Sequence, residues 1–207
     1  RLMTMNQIND VSLDDGNKTV FIATLKHSVG WLTASNQITY PDAFDGIKAD
    51  LVCTYRQGGF ECDLVLHEQP AQPSQYGLAA ASTSLKMVTE FLNAPDPQQS
   101  PGLAVKRYGL QDHSLKFGDL KMGQGKVFVI NATNSARQKP ASPVFKQWLI
   151  LNKRTFLIES VPLSNIEDGL NTLPLGAQVT PKKTGAQILF GSAKEFPPSH
   201  KIATDTN

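Results

Sequence analysis

The chain has 207 residues, of which 18% are charged, 40% hydrophobic and 8% aromatic, with a formal net charge of +2. That length accommodates one domain or two small ones with a sizeable core, and the composition excludes collagen-like, coiled-coil and disordered classes. The balance of 20 basic against 18 acidic residues argues against a dedicated nucleic-acid surface, and no apolar run approaches the ~18 residues of a membrane-spanning helix.

Taken in chain order, period-two patterning dominates. Asp14-Asp15-Gly16-Asn17 is turn chemistry, because Gly and Asn tolerate positive φ. A strand apolar on both faces follows over residues 18–27, and a second run over 37–40 stops at Pro41. The clearest unit is 48–67, where two strands flank Arg56-Gln57-Gly58-Gly59. If Tyr55 faces Phe60, one face carries Ala49, Leu51, Cys53 and Tyr55 against Phe60, Cys62, Leu64 and Leu66. That face is expected inside and the other wet. Cys53 then lies opposite Cys62, as a disulfide or as two buried thiols acting as small hydrophobes.

Residues 84–92 fit a strand or a helical stripe, and the loops on either side favour the strand. Two more strands are expected over 114–117 and 126–131, joined through Gly123-Gln124-Gly125. A second hairpin turns at Asn152-Lys153 and sets Lys146 against Glu159, Trp148 against Leu157 and Leu149 against Phe156. Both of its faces look apolar, so it is expected to be central and covered on each side. Ser164 and Glu167 are spaced as a capping box opening one short helix near 164–173. Ile166, Leu170 and Leu173 are its packing residues, and the Trp148 hairpin is a face it could cover. The whole reads as an all-β, antiparallel β-sandwich over 1–178, with 179–207 as an extended tail or linker. Starting at Arg1 without a signal segment, the chain reads as a mature or excised piece of something longer.

No catalytic residue is assigned. Glu61 and Asp63 share a strand face with His67, at the roughly 6.5–7 Å spacing that suits an inverting carboxylate pair. A solvated strand face, compensated by Arg56 and Lys48, is the simpler reading. His27, His67, His113 and His200 form no metal motif, so no metal or other cofactor is expected. Asp10, Asp14 and Asp15 lack EF-hand spacing and read as part of a turn. Gly123-Gln124-Gly125-Lys126 lacks phosphate-loop spacing. Trp31, Tyr40, Phe44 and Tyr55 could offer a sugar-stacking platform, although core burial is the commoner fate of aromatics. Asn17-Lys18-Thr19 and Asn131-Ala132-Thr133 are glycosylation sequons.

The stretch Tyr40-Pro41-Asp42-Ala43-Phe44-Asp45-Gly46-Ile47, with the hairpin running on to Asp63-Leu64-Val65-Leu66, resembles a segment of known proteins. These are large secreted bacterial surface proteins, repeat-containing and of planctomycete or verrucomicrobial type, in which it lies near the N-terminus. Asp45 stands where that pattern carries Pro. The resemblance implies a non-enzymatic extracellular β-sandwich module for adhesion or scaffolding, with other domains of the same parent protein as partners. It carries over no catalytic or binding residue. A carbohydrate-binding or carbohydrate-active domain, and a subunit that self-assembles through edge strands, are the competing expectations.

Overall fold

A computed structural model describes residues 7–57, 59–130 and 141–176. Strands β1 (Gln7–Asp14) and β2 (Thr19–Leu25) are followed by β3 (Trp31–Ala34), β4 (Gln37–Tyr40) and the short β5 (Phe44–Asp45). β6 (Ala49–Arg56) and β7 (Gly59–Leu66) form a hairpin, and β8 (Ser84–Phe91) comes after two 3₁₀ turns. Then come β9 (Gln98–Val105), β10 (Leu110–Phe117), β11 (Leu120–Met122) and β12 (Gly125–Val127). The series ends with β13 (Ser142–Leu151), β14 (Arg154–Pro162) and a one-turn helix α1 (Glu167–Leu170).

The fold is all-β and antiparallel, as the alternation predicts. One large sheet runs in the order β12-β13-β14-β8-β1-β2-β5. Two smaller sheets, β3-β4-β6-β7 and β11-β10-β9, accompany it. By register, Leu13, Leu85 and Val161 share one face of the large sheet with Val11, Met87 and Glu159. Val11, Leu13, Ala23, Leu85 and Val161 pack there against Ala49 and Leu51 of the four-stranded sheet. Further along the same face, Phe91, Trp148 and Leu157 pack on Leu115 of the three-stranded sheet, with Phe117 and Met122 beside them. The Trp148 ring lies 5.4 Å from Phe91 and 5.3 Å from Phe117, the latter edge-on. Such tilted pairs match the negative ring face of one aromatic to the positive edge of the other.

Both hairpins take the registers read from the sequence. Tyr55 pairs with Phe60 and Cys53 with Cys62, while Lys146 pairs with Glu159 and Trp148 with Leu157. Asn152 and Lys153 both have positive φ, 51° and 65°, the geometry of a type I′ turn whose twist matches its strands. The segment 84–92 is indeed a strand, ending at Phe91, and the strand read at 37–40 is β4.

Several expectations are corrected. The inward face of the first hairpin is covered only at its base: Ala49 is fully buried, but Tyr55 is 66% and Phe60 42% exposed. The hairpin joins the main core through Ala49, Leu51, Cys53, Cys62, Leu64 and Leu66, and Tyr55 and Phe60 at its turn end lie outside that cluster. The second hairpin is likewise uncovered near its turn, where Ile150 is 53% exposed. The capping box does not form. Ser164 falls in a 3₁₀ turn, and its hydroxyl pairs instead with the Tyr108 hydroxyl at 2.7 Å. The helix shrinks to four residues behind Ile166, which offers no capping side chain. Ile166 and Leu170 join the main core rather than the Trp148 cluster. The strand expected over 126–131 ends at Val127 and pairs with β13. Residues 177–207 and Asn131 lie outside the described residues, and with them the tail and the second sequon.

Candidate functional site

Over the large sheet, between the two smaller ones, lies a cleft of about 1780 Å³. Its lining is mainly apolar, including Phe60, Leu64, Met87, Phe117 and Phe128, with a few charged groups interspersed. One wall is β7, the edge strand of its sheet. His67 donates its backbone N–H to Lys48, and Tyr55 donates its own to Asn36. Antiparallel ladders alternate in this respect, so the backbone groups of Phe60 and Leu64 point away from β6, on the cleft side.

The cleft floor carries the chemistry. Lys146, Trp148, Leu157 and Glu159 sit on one face of the β13–β14 hairpin as directly opposed pairs. Below the end of β12, the backbone N–H of Lys146 is met by Asp112 Oδ1 from β10 at 2.9 Å. The same oxygen accepts from Lys146 Nζ at 2.7 Å, and both side chains are buried. Two buried charges removed from water need this quality of geometry to coexist. Glu159 is left without a hydrogen bond or ion pair among the described residues. Burial, reinforced by the negative charges of Asp63 and Asp112 and opposed by Lys146, pushes its carboxyl up to about 7. Trp148 Nε1, buried on the same floor, finds no acceptor among the described residues.

On the β7 wall, burial raises the Asp63 carboxyl, with Glu61 adding to the shift and Arg56 opposing it. Glu61 itself is paired with Arg56 at 3.2 Å, both well exposed, as the solvated-face reading expects. His67 is held by Asp50 at 2.8 Å, whose other oxygen takes the Asp42 N–H. Glu61 and His67 are thus each held in an ion pair, and Glu159 is a further carboxyl in the cleft lining. Cys53 and Cys62 approach with Sγ atoms 2.7 Å apart, near each other but beyond the ~2.05 Å of an S–S bond. Their mutual hydrogen bond lowers the Cys53 thiol and raises that of Cys62, where burial adds to the rise.

The aromatic platform is broken up. Trp31 is 63% exposed on β3, Tyr55 is exposed at the hairpin turn, Tyr40 is half-buried and Phe44 lies in the core. By register, Trp31 shares a face with Thr39, Val52 and Asp63, opposite to that of Tyr55. Asp10 and Asp14 lie in β1 rather than in the turn, and Asp15 follows directly after the strand. Asp14 bonds the Gly16 N–H, the Thr19 hydroxyl and the Lys86 ammonium, and Asp15 bonds the N–H groups of Asn17, Lys18 and Ala79. No group of three or more His, Cys, Asp or Glu side chains suited to a metal occurs among the described residues. Gly125 pairs with Val144, so the Gly123–Lys126 stretch is the entry to a strand.

Sequence reasoning had placed Lys146 opposite Glu159 but missed their importance. The available signal was two charges on a face otherwise carrying Trp148 and Leu157. No family model, curated protein or solved structure matches the chain.

Proposed function

We propose that this chain is an extracellular, non-enzymatic β-sandwich module that serves adhesion or scaffolding within a larger bacterial surface protein. Its cleft holds an extended polypeptide segment from another domain or a partner. The cleft is the observation that carries this reading. At about 1780 Å³ it exceeds the roughly 300–1,000 Å³ of small-molecule pockets. Its mainly apolar lining and the outward backbone groups of Phe60 and Leu64 suit a strand added beside β7. The oxidising setting of exported proteins also suits Cys53 and Cys62, which would close there as a cross-strand disulfide.

The test is a peptide array of alternating apolar sequences probed with the full chain. Binding that disappears in Leu64→Arg, on the cleft wall, and survives in Trp31→Ala, on the outer face, is the expected result. A glycan array probed with the same proteins covers the second reading. Specific sugar binding lost in Trp31→Ala, with no peptide retained, would replace the scaffold by a carbohydrate-binding domain.

A further inference from the structure

We infer that residues 177–207 supply a second layer over the back of the large sheet, the face turned away from the cleft and from both small sheets. This layer involves neither the cleft nor anything docked there.

By register, Val88 is paired with Ile158 on the back face, and Phe156 with Leu149. A row of directly opposed residues, Ser12, Lys86, Ser160 and Phe145, crosses the same face over four adjacent strands. Ser12 is 0%, Phe145 2% and Phe156 2% exposed, as deeply buried as the front of the sheet. Val88, Phe156 and Ile158 cluster with Phe21, Leu149 and Leu151, and every member stands on the large sheet itself. The two front clusters, by contrast, each take residues from a small sheet. Side chains on one face stand roughly perpendicular to the sheet, so neighbours shield one another's flanks and leave the tips to water. Tips buried this deeply need a second layer. The burial arises within one chain, so the layer comes from that same chain.

Besides Gly58, three stretches lie outside the described residues. Residues 131–140 hold no apolar side chain larger than alanine except Pro140. Residues 1–6 offer Leu2, Met3 and Met5 and reach about 20 Å when extended, too little for a face buried across four strands. Residues 177–207 extend to on the order of 100 Å, against about 30 Å across seven strands. They carry Ile188-Leu189-Phe190, Phe196 and Ile202. Their point of departure is fixed on the fold. The Gln69 N–H donates to the Pro174 carbonyl at 2.9 Å, and Gln69 Nε2 donates to the Leu173 carbonyl at 2.9 Å.

The experiment uses the full chain. Leu149→p-benzoylphenylalanine puts a photo-crosslinker on the back face, and Ile150→p-benzoylphenylalanine puts one on the front as a control. Irradiation of dilute protein and peptide mass mapping are expected to join position 149, and not 150, to a peptide within 177–207. In the unsubstituted chain, amide hydrogen exchange over 186–190 is expected to be slowed on the order of a hundredfold against an unfolded peptide. Crosslinks from 149 only to residues 1–6, only between two copies, or none to 177–207 overturn the assignment. Equal crosslinking from 150 overturns it too, as does exchange at the unfolded rate throughout 177–207, whatever the variants do.

Discussion

Lys146 and Glu159 are cross-strand partners, yet the Lys146 ammonium lies 2.7 Å from Asp112 rather than on Glu159. The ladder brings the first two together, and a third residue from another sheet decides which carboxylate is neutralised. The stability and the pH response of the fold both follow from that choice.

Removing the ammonium leaves Asp112 buried and uncompensated. Lys146→Met is expected to cost about 3–5 kcal/mol in urea unfolding. Lys146→Met combined with Asp112→Leu should recover only part of the loss, because the two apolar groups need no ionic partner but the Lys146 backbone N–H then loses its acceptor. A double variant as unstable as the single one would show that packing, rather than charge, dominates here.

Glu159 makes stability depend on pH with a definite sign. Its folded value of about 7 lies above the ordinary 4.5, so the folded state binds more protons than the unfolded one between those values. Its contribution is complete below about pH 4.5 and is lost as pH rises through 7, by at most about 3 kcal/mol. Unfolding midpoints across this window are expected to fall with pH. In Glu159→Gln this component of the slope should vanish, and the variant should be the more stable protein at pH 8.

Cys53 and Cys62 form a non-hydrogen-bonded cross-strand pair, the type that brings side chains closest. Exchange with a small-molecule disulfide would oxidise both thiols, passing two protons and two electrons to that disulfide, which leaves as two thiols. Intact mass is expected to fall by two hydrogens, and the loop closed should stabilise the fold by roughly 2–3 kcal/mol. Unfolding with and without reductant measures this, and Cys53→Ser should erase the difference.

Gly46 has φ +101°, and a Cβ there would meet the Ile22 carbonyl. Gly46→Ala is therefore expected to destabilise by about 1–3 kcal/mol. Gly16→Ala has a similar φ of +92° but open space around it. It should cost less, and comparing the two separates backbone strain from the clash.

The two hairpins were legible because each is a local object. A turn signal and a period of two fix every opposed pair, so 53 with 62 and 146 with 159 needed no tertiary information. Strands β3 and β9 were not legible. Residues 31–34 are exposed throughout, and 98–105 nearly so and interrupted by Pro101 and Gly102, which leaves no apolar alternation to read. The capping box failed for a related reason. The spacing of Ser164 and Glu167 is a local preference of about 1 kcal/mol, and the Tyr108 hydroxyl, 56 positions away, competes for the same serine.

The amino-acid sequence by itself therefore determined the all-β class, the registers of both hairpins and the adjacency of the two cysteines, since these follow from neighbours along the chain. Tertiary structure alone decided where the two small sheets stand on the large one, and with that the cleft and its floor. Asp112 reaches Lys146 across 34 positions, and no periodicity encodes that distance. Burial and charge at Glu159 come from three strands at once, so its character exists only once those strands have met.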